Sequence, residues 1–412
     1  MRMVNVMTNL NQQSSQRWAS AMMANYATPE ICLDHGEGAR VWDVDGNEYL
    51  DLIAGIATST LGHGNTAIAD AVSDQVKRLA HTSNLFAHEP GLNLAEKLIG
   101  LTGADARVFF SQDGASANEA AYKLARRHGW ESNPDGSRLE IIAAEGSFHG
   151  RTMGALSITG SAAKRDPFVP LPGPVSFVPY GDVEALRAAV SPSTAAVFLE
   201  PVLGEGGVVP APAGYLAAAR TICDESGALL VIDEVQSGIG RAGTLFMSID
   251  SGVVPDVLTL AKGLAGGLPL GACLAFGDAA SLFRPGDHGS TFGGNPVSCA
   301  AAMAVLDTIR DQDLLLNVKR VGDHWASRFD GIDHPNLAGY RGVGLWRALE
   351  LRGVTAAAVQ QAARDEGFLV NAVAPDAIRL APPLTLTIAE ADEFADALPG
   401  ILTAAATSGD TP

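Results

Sequence analysis

The sequence predicts an α/β fold, with a mostly parallel sheet in a large domain and a smaller α+β domain toward the C-terminal end. From about residue 107, short apolar runs alternate with segments of helical periodicity. Such alternation is typical of a parallel sheet that helices cover on both faces. A long helical segment, residues 296–309, then leads into three more strand-like segments and a closing helix, which indicates the smaller domain.

The elements follow in chain order. Residues 41–50 alternate apolar and polar side chains around the turn Asp45-Gly46, which predicts a short antiparallel hairpin. The predicted elements of the large domain are strands over 107–110, 140–144, 195–200, 228–233, 257–260 and 271–276, helices over 115–128 and 213–225, and surface loops over 131–137 and 165–174. Those of the smaller domain are strands over 344–351, 368–371 and 378–380 and a helix over 388–404.

At 412 residues the chain is too long for one small core, so we expect more than one domain. The predicted division is an N-terminal arm and hairpin that join the small domain (1–65), a large cofactor-binding domain (66–295) and a C-terminal small domain (296–412). The first 29 residues carry no acidic side chain, but only Arg2 and Arg17 are basic there. We therefore interpret this segment as the arm of a cytoplasmic protein and not as a transit peptide.

Composition excludes several classes of function. The formal charge of −18 argues against nucleic acid or an anionic membrane as a partner. No apolar run approaches the roughly 20 residues that span a bilayer. The four cysteines have no paired spacing, which favours buried thiols in a reduced compartment over disulfides or a metal site. A hydrophobic content of 47% and 45 glycines fit a soluble, well-buried α/β protein and not a disordered one.

Two apolar runs end in side chains that suit one particular chemistry. Residues 229–232 lead to Asp233, and residues 257–261 lead to Lys262. Side chains at the carboxyl ends of parallel strands lie where α/β proteins bind ligands. A lysine there can hold an aldehyde cofactor as a Schiff base, and a carboxylate can pair with a protonated ring nitrogen. The combination indicates a pyridoxal-phosphate enzyme in which Lys262 and Asp233 are catalytic.

Each of the two residues also has a structural interpretation. A lysine at a strand end often extends its amine into water, and an aspartate there often caps a helix or completes an ion pair. The small residues Gly263, Gly266 and Gly267 favour the catalytic interpretation of Lys262, because they leave room for a planar cofactor. A lysine desolvated in such a site loses part of its preference for charge and becomes a usable nucleophile.

The cofactor phosphate requires an anion site, and two glycine-containing turns offer one. Gly114 and Ala115 begin a helix directly after a strand, so their N–H groups would face the phosphate along the positive end of the helix. We expect Asp113 to face away from the anion and to cap that helix. A second turn contains Ser290 and Thr291, which either donate to phosphate oxygens or simply form a tight start to the next helix.

Three further residues are predicted to contact the cofactor or the substrate. Phe148 can stack on the cofactor ring, although ordinary core packing is the alternative. Gln236 can hydrogen-bond the ring oxygen. Arg151 can bind a substrate carboxylate through a bidentate fork, a geometry that lysine does not supply. His149 receives no role, since a lone histidine in a turn is usually structural.

In this order the motifs closely resemble those of the class III (ornithine/ω-amino acid) pyridoxal-phosphate aminotransferases, over about residues 17–402. Each motif alone is weak, but their joint occurrence is specific. The matching segments are residues 114–119, 148–152, 233–236, 262–263 and 290–296, supported by 200–205 and 379–383. The resemblance implies a fold-type I pyridoxal-phosphate transferase that works as a homodimer with active sites at the subunit interface.

The resemblance also implies roles for individual residues. Thr291 would reach the phosphate held by the neighbouring subunit, and Ser290 would contribute to substrate binding. Arg151 would bind the distal carboxylate of the amino donor. Glu205 would pair with Arg379 while an ω-amine reacts and would release it when glutamate presents its α-carboxylate. One site could then accept two differently shaped substrates.

The chain departs from the family pattern at several positions. Asp113 is an added acid beside the phosphate turn, Ser116 replaces the usual glutamate, and Leu203 replaces a common glutamine. None of these changes removes a group that makes or breaks bonds. Ile56 stands where ornithine aminotransferases tend to have a tyrosine that holds the free α-ammonium, so it suits a neutral acetamide.

The expected reaction is transfer of the δ-amino group of N-acetylornithine to 2-oxoglutarate, which serves arginine biosynthesis. Related ω-amino donors, namely succinyl-diaminopimelate, ornithine and 4-aminobutyrate, are the nearest alternative. A pyridoxal-phosphate aminomutase would need no external keto acid. A non-catalytic binding protein on the same fold is a third class, and the presence of Lys262, Asp233 and both arginines argues against it.

Overall fold

The computed structural model describes residues 9–408 of the chain. The α-helices are α1 (Leu10–Ala21), α2 (Ala54–Ala57), α3 (Thr66–Arg78), α4 (Glu89–Thr102), α5 (Gly114–Ser132), α6 (Met153–Ser157), α7 (Ala162–Arg165), α8 (Val183–Ala189), α9 (Tyr215–Ser226), α10 (Met247–Asp250), α11 (Pro296–Asp311), α12 (Leu314–Asp330), α13 (Ala356–Asp365) and α14 (Ile388–Ser408). The strands are β1 (Leu33–Glu37), β2 (Arg40–Asp43), β3 (Glu48–Asp51), β4 (Ala106–Ser111), β5 (Glu140–Ala144), β6 (Val175–Val178), β7 (Thr194–Leu199), β8 (Val202–Leu203), β9 (Val209–Pro210), β10 (Leu229–Asp233), β11 (Val257–Leu260), β12 (Gly271–Phe276), β13 (Leu337–Val343), β14 (Trp346–Leu351), β15 (Phe368–Leu369), β16 (Asn371–Ala374) and β17 (Ala377–Leu380).

The central element is a seven-stranded sheet with the strand order β4-β12-β11-β10-β7-β5-β6. All neighbouring pairs from β11 to β6 are parallel, whereas β12 runs antiparallel to both β11 and β4. Every residue of β7, β10, β11 and β12 is buried, as expected for strands covered on both faces. The prediction of a mostly parallel sheet in an α/β fold is confirmed.

Two predicted loops of this region are wrong in part. The helix α5 continues to Ser132, so the loop predicted over residues 131–137 begins within it. The segment predicted as a loop over residues 165–174 contains the end of α7 and a 3-10 turn, Asp166–Phe168. The strand β6 that follows was not predicted, because it is an edge strand of only four residues that its pairing with β5 defines.

Residues from the two ends of the chain share a second sheet, with the order β1-β2-β3-β15. The predicted hairpin is confirmed, since Val41 pairs with Tyr49 across β2 and β3. The strand predicted over residues 368–371 divides in two: β15 pairs in parallel with β3, and β16 joins a third sheet of order β13-β14-β17-β16. A single periodic run therefore serves two sheets, because each half finds a different partner.

The two residues predicted to be catalytic lie at one edge of the central sheet. The strands β4, β5, β7, β10 and β11 all run in the same direction, so their carboxyl ends meet at that edge. Asp233 ends β10 and is in register with Thr259 of β11, and Lys262 follows β11 by two residues. Within residues 9–408, no helix combines the length and apolarity needed to cross a bilayer.

Candidate active site

A cavity of about 470 Å³ opens at this edge of the central sheet. Most of the residues predicted for the site line it, namely Gly114, Ala115, Phe148, Arg151, Glu205, Asp233, Gln236 and Lys262. Arg379 lies behind Glu205 and is almost fully buried. Ser290 and Thr291 are not part of the cavity wall. The fold therefore brings together residues that are up to 265 positions apart in the sequence, from Gly114 to Arg379.

The carboxylate of Asp233 is fixed by three hydrogen bonds at the floor of the cavity. One oxygen accepts from Asn118 Nδ2 at 2.6 Å and pairs with His149 Nδ1 at 2.8 Å. The other oxygen accepts from the backbone N–H of Val235 at 2.9 Å. These three contacts engage both oxygen atoms and fix the orientation of the Asp233 carboxylate. The cap and surface ion-pair alternatives do not describe this environment.

His149 and Glu200 extend this network beneath the cavity. Burial opposes a charge on His149, but the hydrogen bond and charge of Asp233, with the charge of Glu200, raise the pKa of His149. Burial raises the pKa of Glu200 to about 7, with His149 acting against this and Asp233 adding to it. Glu200 accepts the backbone N–H of Phe148 at 2.9 Å. The three side chains thus form one buried, electrostatically coupled cluster, and His149 is part of the site after all.

The amine of Lys262 faces this cluster from the neighbouring strand. Among residues 9–408, its Nζ has no hydrogen bond and no ion pair within 4.0 Å. Burial, followed by the positive charge of Arg379, lowers the pKa of Lys262 to about 8. Lys262 also has a φ of +42°, a left-handed conformation that is uncommon for residues other than glycine. The side chain is therefore held in the cavity and does not extend into open water.

The first turn of α5 forms one wall of the cavity. Asp113 Oδ1 accepts the N–H of Ser116 at 2.7 Å, so the predicted helix cap is confirmed. The first N–H groups of a helix have no partner inside it, which leaves those of Gly114 and Ala115 available to an anion. A Cβ atom on Gly114 would lie 2.6 Å from Val235 Cγ1, so glycine allows α5 to approach the turn after β10 this closely.

An aromatic ring and two cations mark the opposite wall. The guanidinium carbon of Arg151 lies 5.6 Å from the ring centroid of Phe148, and Lys164 Nζ lies 5.8 Å from the same centroid. Phe148 is half-buried and lines the cavity, which distinguishes it from an ordinary core residue. On the floor nearby, Gln236 Nε2 is buried without a hydrogen-bond partner in the part of the chain that the structure describes.

An ion pair closes the substrate end of the cavity. Arg379 donates from Nη1 to Glu205 Oε1 at 2.7 Å and from Nη2 to Asn371 Oδ1 at 2.7 Å. Burial opposes ionisation of Glu205, but the charge and hydrogen bond of Arg379 outweigh it and lower the pKa of Glu205. The guanidinium Nε of Arg379 is buried and unpartnered among the described residues. The pairing expected of these two residues is confirmed.

Ser290 and Thr291 belong to an exposed turn beside the cavity. Ser290 Oγ donates to Gln112 Oε1 at 2.8 Å, which ties this turn to the residue preceding the α5 cap. Asn84 donates to the backbone oxygen atoms of Ser290 and Gly293 at 2.9 and 3.0 Å and so fixes the turn. Thr291 itself is exposed and contributes nothing to the cavity of its own chain.

A sequence profile of the family described as aminotransferase class-III matches residues 21–402. The chain belongs to this family. The acetylornithine aminotransferase of Mycolicibacterium smegmatis is 54% identical over 390 residues, which cover 95% of this chain and 98% of that protein.

Solved structures of class III aminotransferases have the same fold. The ornithine aminotransferase from Toxoplasma gondii matches with a TM-score of 0.92 at 30% identity, covering 97% of this chain and 96% of that chain. An amine transaminase from an uncultivated Pseudomonas species, solved in its PLP-bound form, matches with a TM-score of 0.86 at 31% identity, covering 93% and 98%. The chain is therefore a fold-type I aminotransferase.

Pyridoxal 5′-phosphate is the cofactor of class III aminotransferases, and the cavity fits it. The amine of Lys262 has no partner among the described residues, and its pKa of about 8 makes the neutral form that attacks an aldehyde more accessible. Asp233 offers a buried carboxylate for a ring nitrogen, and the start of α5 offers free N–H groups for a phosphate. Gln236 lines the cavity, and its Nε2, buried and without a partner among the described residues, is a further donor for the cofactor.

Proposed function

We propose that this aminotransferase moves the δ-amino group of N²-acetyl-L-ornithine to 2-oxoglutarate, giving N-acetyl-L-glutamate 5-semialdehyde and L-glutamate. The reaction belongs to arginine biosynthesis. The observation that carries the proposal is the 54% identity, over nearly the whole of both chains, to a relative named for this activity. The site supports it, because the chain has a lysine, a buried acid and two separate arginines in one cavity region.

The choice of donor rests on Ile56. This residue lies in the short turn α2, whose four residues all have left-handed φ angles, and it is exposed two positions before Thr58 of the cavity wall. An aliphatic side chain there offers no hydrogen bond to a free α-ammonium group. A neutral acetamide does not need such a hydrogen bond. The acetylated donor therefore loses less solvation free energy on entering the site than ornithine does.

Several residues would hold the cofactor. Lys262 would attach it, Asp233 would pair with its ring nitrogen, and Gln236 would donate to its ring oxygen. Gly114 and Ala115 would bind its phosphate through backbone N–H groups. Phe148 would pack against its ring, and Thr291 of the partner subunit would reach its phosphate. When bound, pyridoxal phosphate supplies an aldehyde and a protonated ring that withdraws the electrons left by a departing proton.

Lys262 would carry the proton that the reaction moves. With a pKa of about 8, a useful fraction of its amine is neutral near neutral pH and can accept a proton from the substrate carbon. The ammonium so formed returns that proton within the same cavity. Asp233 keeps its position throughout, because three hydrogen bonds hold its carboxylate.

The two arginines would bind different carboxylates of the two substrates. Arg151 binds the carboxylate distant from the reacting carbon in both of them. While the δ-amine of the donor reacts, Arg379 stays paired with Glu205. Its charge is then neutralised where the uncharged part of the donor lies. When glutamate or 2-oxoglutarate enters, Arg379 turns to its α-carboxylate and Glu205 is released.

We further propose a homodimer in which the turn containing Thr291 reaches the partner's active site. This turn carries Phe292, which is 64% exposed, and the neighbouring segment exposes Leu85 by 84% and Phe86 by 71%. Large apolar side chains exposed together usually mark an interface. Sedimentation of the enzyme should give a dimer, and Phe292→Glu should weaken it; a wild-type enzyme that sediments as a monomer at micromolar concentration would overturn this part.

The domain division and the compartment remain our proposals. We propose an arm and hairpin over residues 1–65 joined to a C-terminal small domain over residues 296–412, with residues 66–295 as the large domain. The second sheet supports this, since it pairs β3 with β15. We propose a cytoplasmic enzyme, because the cysteines Cys32, Cys223, Cys273 and Cys299 are all free.

A comparison of donors tests the assignment most directly. The holoenzyme is mixed with N-acetylornithine, ornithine, 4-aminobutyrate or succinyl-diaminopimelate, and the change in cofactor absorbance gives the rate of each half-reaction. We expect N-acetylornithine to react fastest. Ornithine is the second candidate, because the T. gondii structure that shares this fold so closely is named for it. Faster reaction with ornithine than with its acetylated form would replace our assignment.

A further inference from the structure

Lys164 is a cation beside the substrate end of the cavity that the proposed reaction does not yet use. It lies in the short helix α7, and its Nζ is 5.8 Å from the ring centroid of Phe148. The same ring contacts Arg151, so the two cations share one aromatic side chain. Lys164 is half-buried, and its amine makes no hydrogen bond or ion pair within residues 9–408. An unpaired lysine in this position is free to meet a carboxylate.

Glu205 is a candidate for that carboxylate, because it lines the same cavity as Phe148, the ring beside which Lys164 lies. Only its Oε1 is engaged, by Arg379, while Oε2 has no hydrogen bond among the described residues. The positive charges that act on it are Arg379, then Lys262 and then Lys164, so Lys164 lies within electrostatic reach. Lys262 is committed to the cofactor. Lys164 is therefore the one cation near Glu205, among those that act on it, with no other task.

The proposed switch creates a need for such a cation. When Arg379 binds the α-carboxylate of glutamate, Glu205 loses its ion-pair partner in a site that is only partly open to water. A carboxylate left there without a counter-charge is costly, and the incoming substrate adds further negative charge. During the ω-amine half of the reaction the pair stays closed, and no such need arises.

We propose that Lys164 is a specificity-determining residue for the glutamate half of the reaction, because it becomes the ion-pair partner of Glu205 when Arg379 turns to the substrate. This rests on the proposed two-substrate site, though not on which ω-amine is the donor. Gly206 and Gly207 follow Glu205 directly, and Gly207 has a φ of +98°, so the backbone of this loop can adjust to a new side-chain direction. The alternative role for Lys164 is to help Arg151 bind the distal carboxylate, which both substrates carry.

The two roles predict different effects of Lys164→Met on the holoenzyme. If Lys164 acts on Glu205, the substitution should raise the apparent dissociation constant for glutamate about fivefold, which is the upper range for a partly exposed pair. The dissociation constant for N-acetylornithine should stay unchanged. If Lys164 instead acts on the distal carboxylate, the substitution should weaken the binding of both substrates equally, and that result would overturn the proposal. Lys164→Arg should restore glutamate binding. Lys77→Met, on the exposed face of α3, removes the same charge elsewhere and should change neither constant.

A double-mutant cycle isolates the contact with Glu205. A Glu205→Gln background has no carboxylate with which Lys164 could pair, so Lys164→Met should have no further effect on glutamate binding. An undiminished fivefold loss in that background would show that Lys164 acts on something else.

Binding of glutarate gives a readout without turnover. This unreactive dicarboxylate engages both arginines, and calorimetry on the holoenzyme should show its dissociation constant rise about fivefold with Lys164→Met. Valerate, which has one carboxylate and leaves the Glu205–Arg379 pair closed, should bind the variant and the wild type equally. These measurements need no particular donor. If N-acetylornithine proves inactive while glutamate reacts, the donor assignment fails and the test of Lys164 still gives an answer.

Discussion

The two ends of the active-site cavity are built in opposite ways. At the cofactor end, Asp233 is held by three hydrogen bonds, two of them to the buried side chains of Asn118 and His149, and His149 and Glu200 complete a cluster with almost no access to water. At the substrate end, Arg379 and Glu205 form a single ion pair, and Glu205 is about 30% exposed. We therefore expect the cofactor end to stay fixed and the proposed switch at the substrate end to open and close its pair.

This difference follows from the cost of breaking each contact. Removing one partner from a buried, charged hydrogen bond leaves the other unsatisfied at a cost of roughly 1–3 kcal/mol or more. A partly exposed pair contributes about 0–1 kcal/mol, because water replaces either partner. This distribution is what we expect of a site that keeps one cofactor and, as proposed, exchanges two substrates. The predictions that follow separate the two ends, beginning with the largest effect.

Loss of Lys262 should abolish turnover. Lys262→Ala removes both the attachment of the cofactor and the proton carrier, and we expect kcat to fall by about 10⁴-fold. Circular dichroism should remain that of the folded protein, because the amine has no structural partner among the described residues. Lys77→Ala is the matched control. A Lys262→Ala enzyme that keeps a tenth of the wild-type kcat would remove the catalytic assignment.

Neighbouring acids at the end of β10 should separate chemistry from stability. Asp233→Asn keeps the shape but removes the charge, and kcat should fall by about 10²–10³-fold, as for loss of one preorganised electrostatic contact. Glu234 is equally buried but accepts hydrogen bonds from Ser248 and Met247, away from the cavity. Glu234→Gln should therefore lower the Tm and change kcat by less than about threefold. Equal loss of kcat in both variants would mean that Asp233 is merely structural.

Arg379→Met should damage only one half of the reaction. Loss of a charge that binds a substrate carboxylate costs about 2–5 kcal/mol, so the glutamate half-reaction should slow by about 10²-fold in kcat/KM. The N-acetylornithine half-reaction should change by less than about tenfold, since it does not use this arginine. Single-turnover absorbance changes measure each half separately. Similar losses in both halves would contradict the description of Glu205 and Arg379 as a switch.

The donor preference should change by about tenfold with Ile56→Tyr. A tyrosine hydroxyl can accept a hydrogen bond from a free α-ammonium, and a hydrogen bond to a charged group contributes about 1.5–3 kcal/mol. The ratio of kcat/KM for ornithine to that for N-acetylornithine should rise accordingly, while the glutamate half-reaction stays unchanged. Ile56→Val keeps an aliphatic surface and should leave the ratio as it is.

The pH dependence of cofactor capture should report the pKa of Lys262. Burial and Arg379 lower this pKa to about 8 from 10.5, so the neutral amine prevails above pH 8 instead of above 10.5. The rate at which cofactor-depleted enzyme recovers its absorbance should rise between about pH 7 and pH 9 and then level off. Arg379→Met removes a positive charge and frees Glu205, and both changes raise the pKa, so the rise should move to higher pH. A rate that continues to climb toward pH 10.5 in the wild type would contradict a desolvated lysine.

Much of the fold was predictable because local patterns decide it. The strands β5, β11 and β12 have the bounds that their apolar runs predicted, since a fully buried strand needs no partner to be recognised. The strand β13 was missed, because its sequence Leu337–Val343 contains two glycines and no apolar run, and only pairing with β14 makes it a strand. The division of residues 368–371 between two sheets likewise depends on distant partners.

The site was predictable where chemistry is tied to a motif and not where it depends on packing. Lys262, Asp233 and the pair of Glu205 with Arg379 could be found from strand ends and from resemblance. The role of His149 could not, because its partner Asp233 is 84 positions away and the sequence shows only a histidine in a turn. Asn118 lies in the motif of residues 114–119, but the sequence indicated no role for it. In the structure it bridges Asp233 to Thr259.

One measurement tests the central claim that a single lysine holds the cofactor beside a fixed carboxylate. Borohydride reduction of the holoenzyme makes the bond between lysine and cofactor permanent, and mass spectrometry of the digested protein then identifies the labelled residue. The account predicts the mass of reduced pyridoxal phosphate on the peptide that contains Lys262, and no label in Lys262→Ala. Stoichiometric label on another lysine, or full cofactor binding without any label, would contradict it.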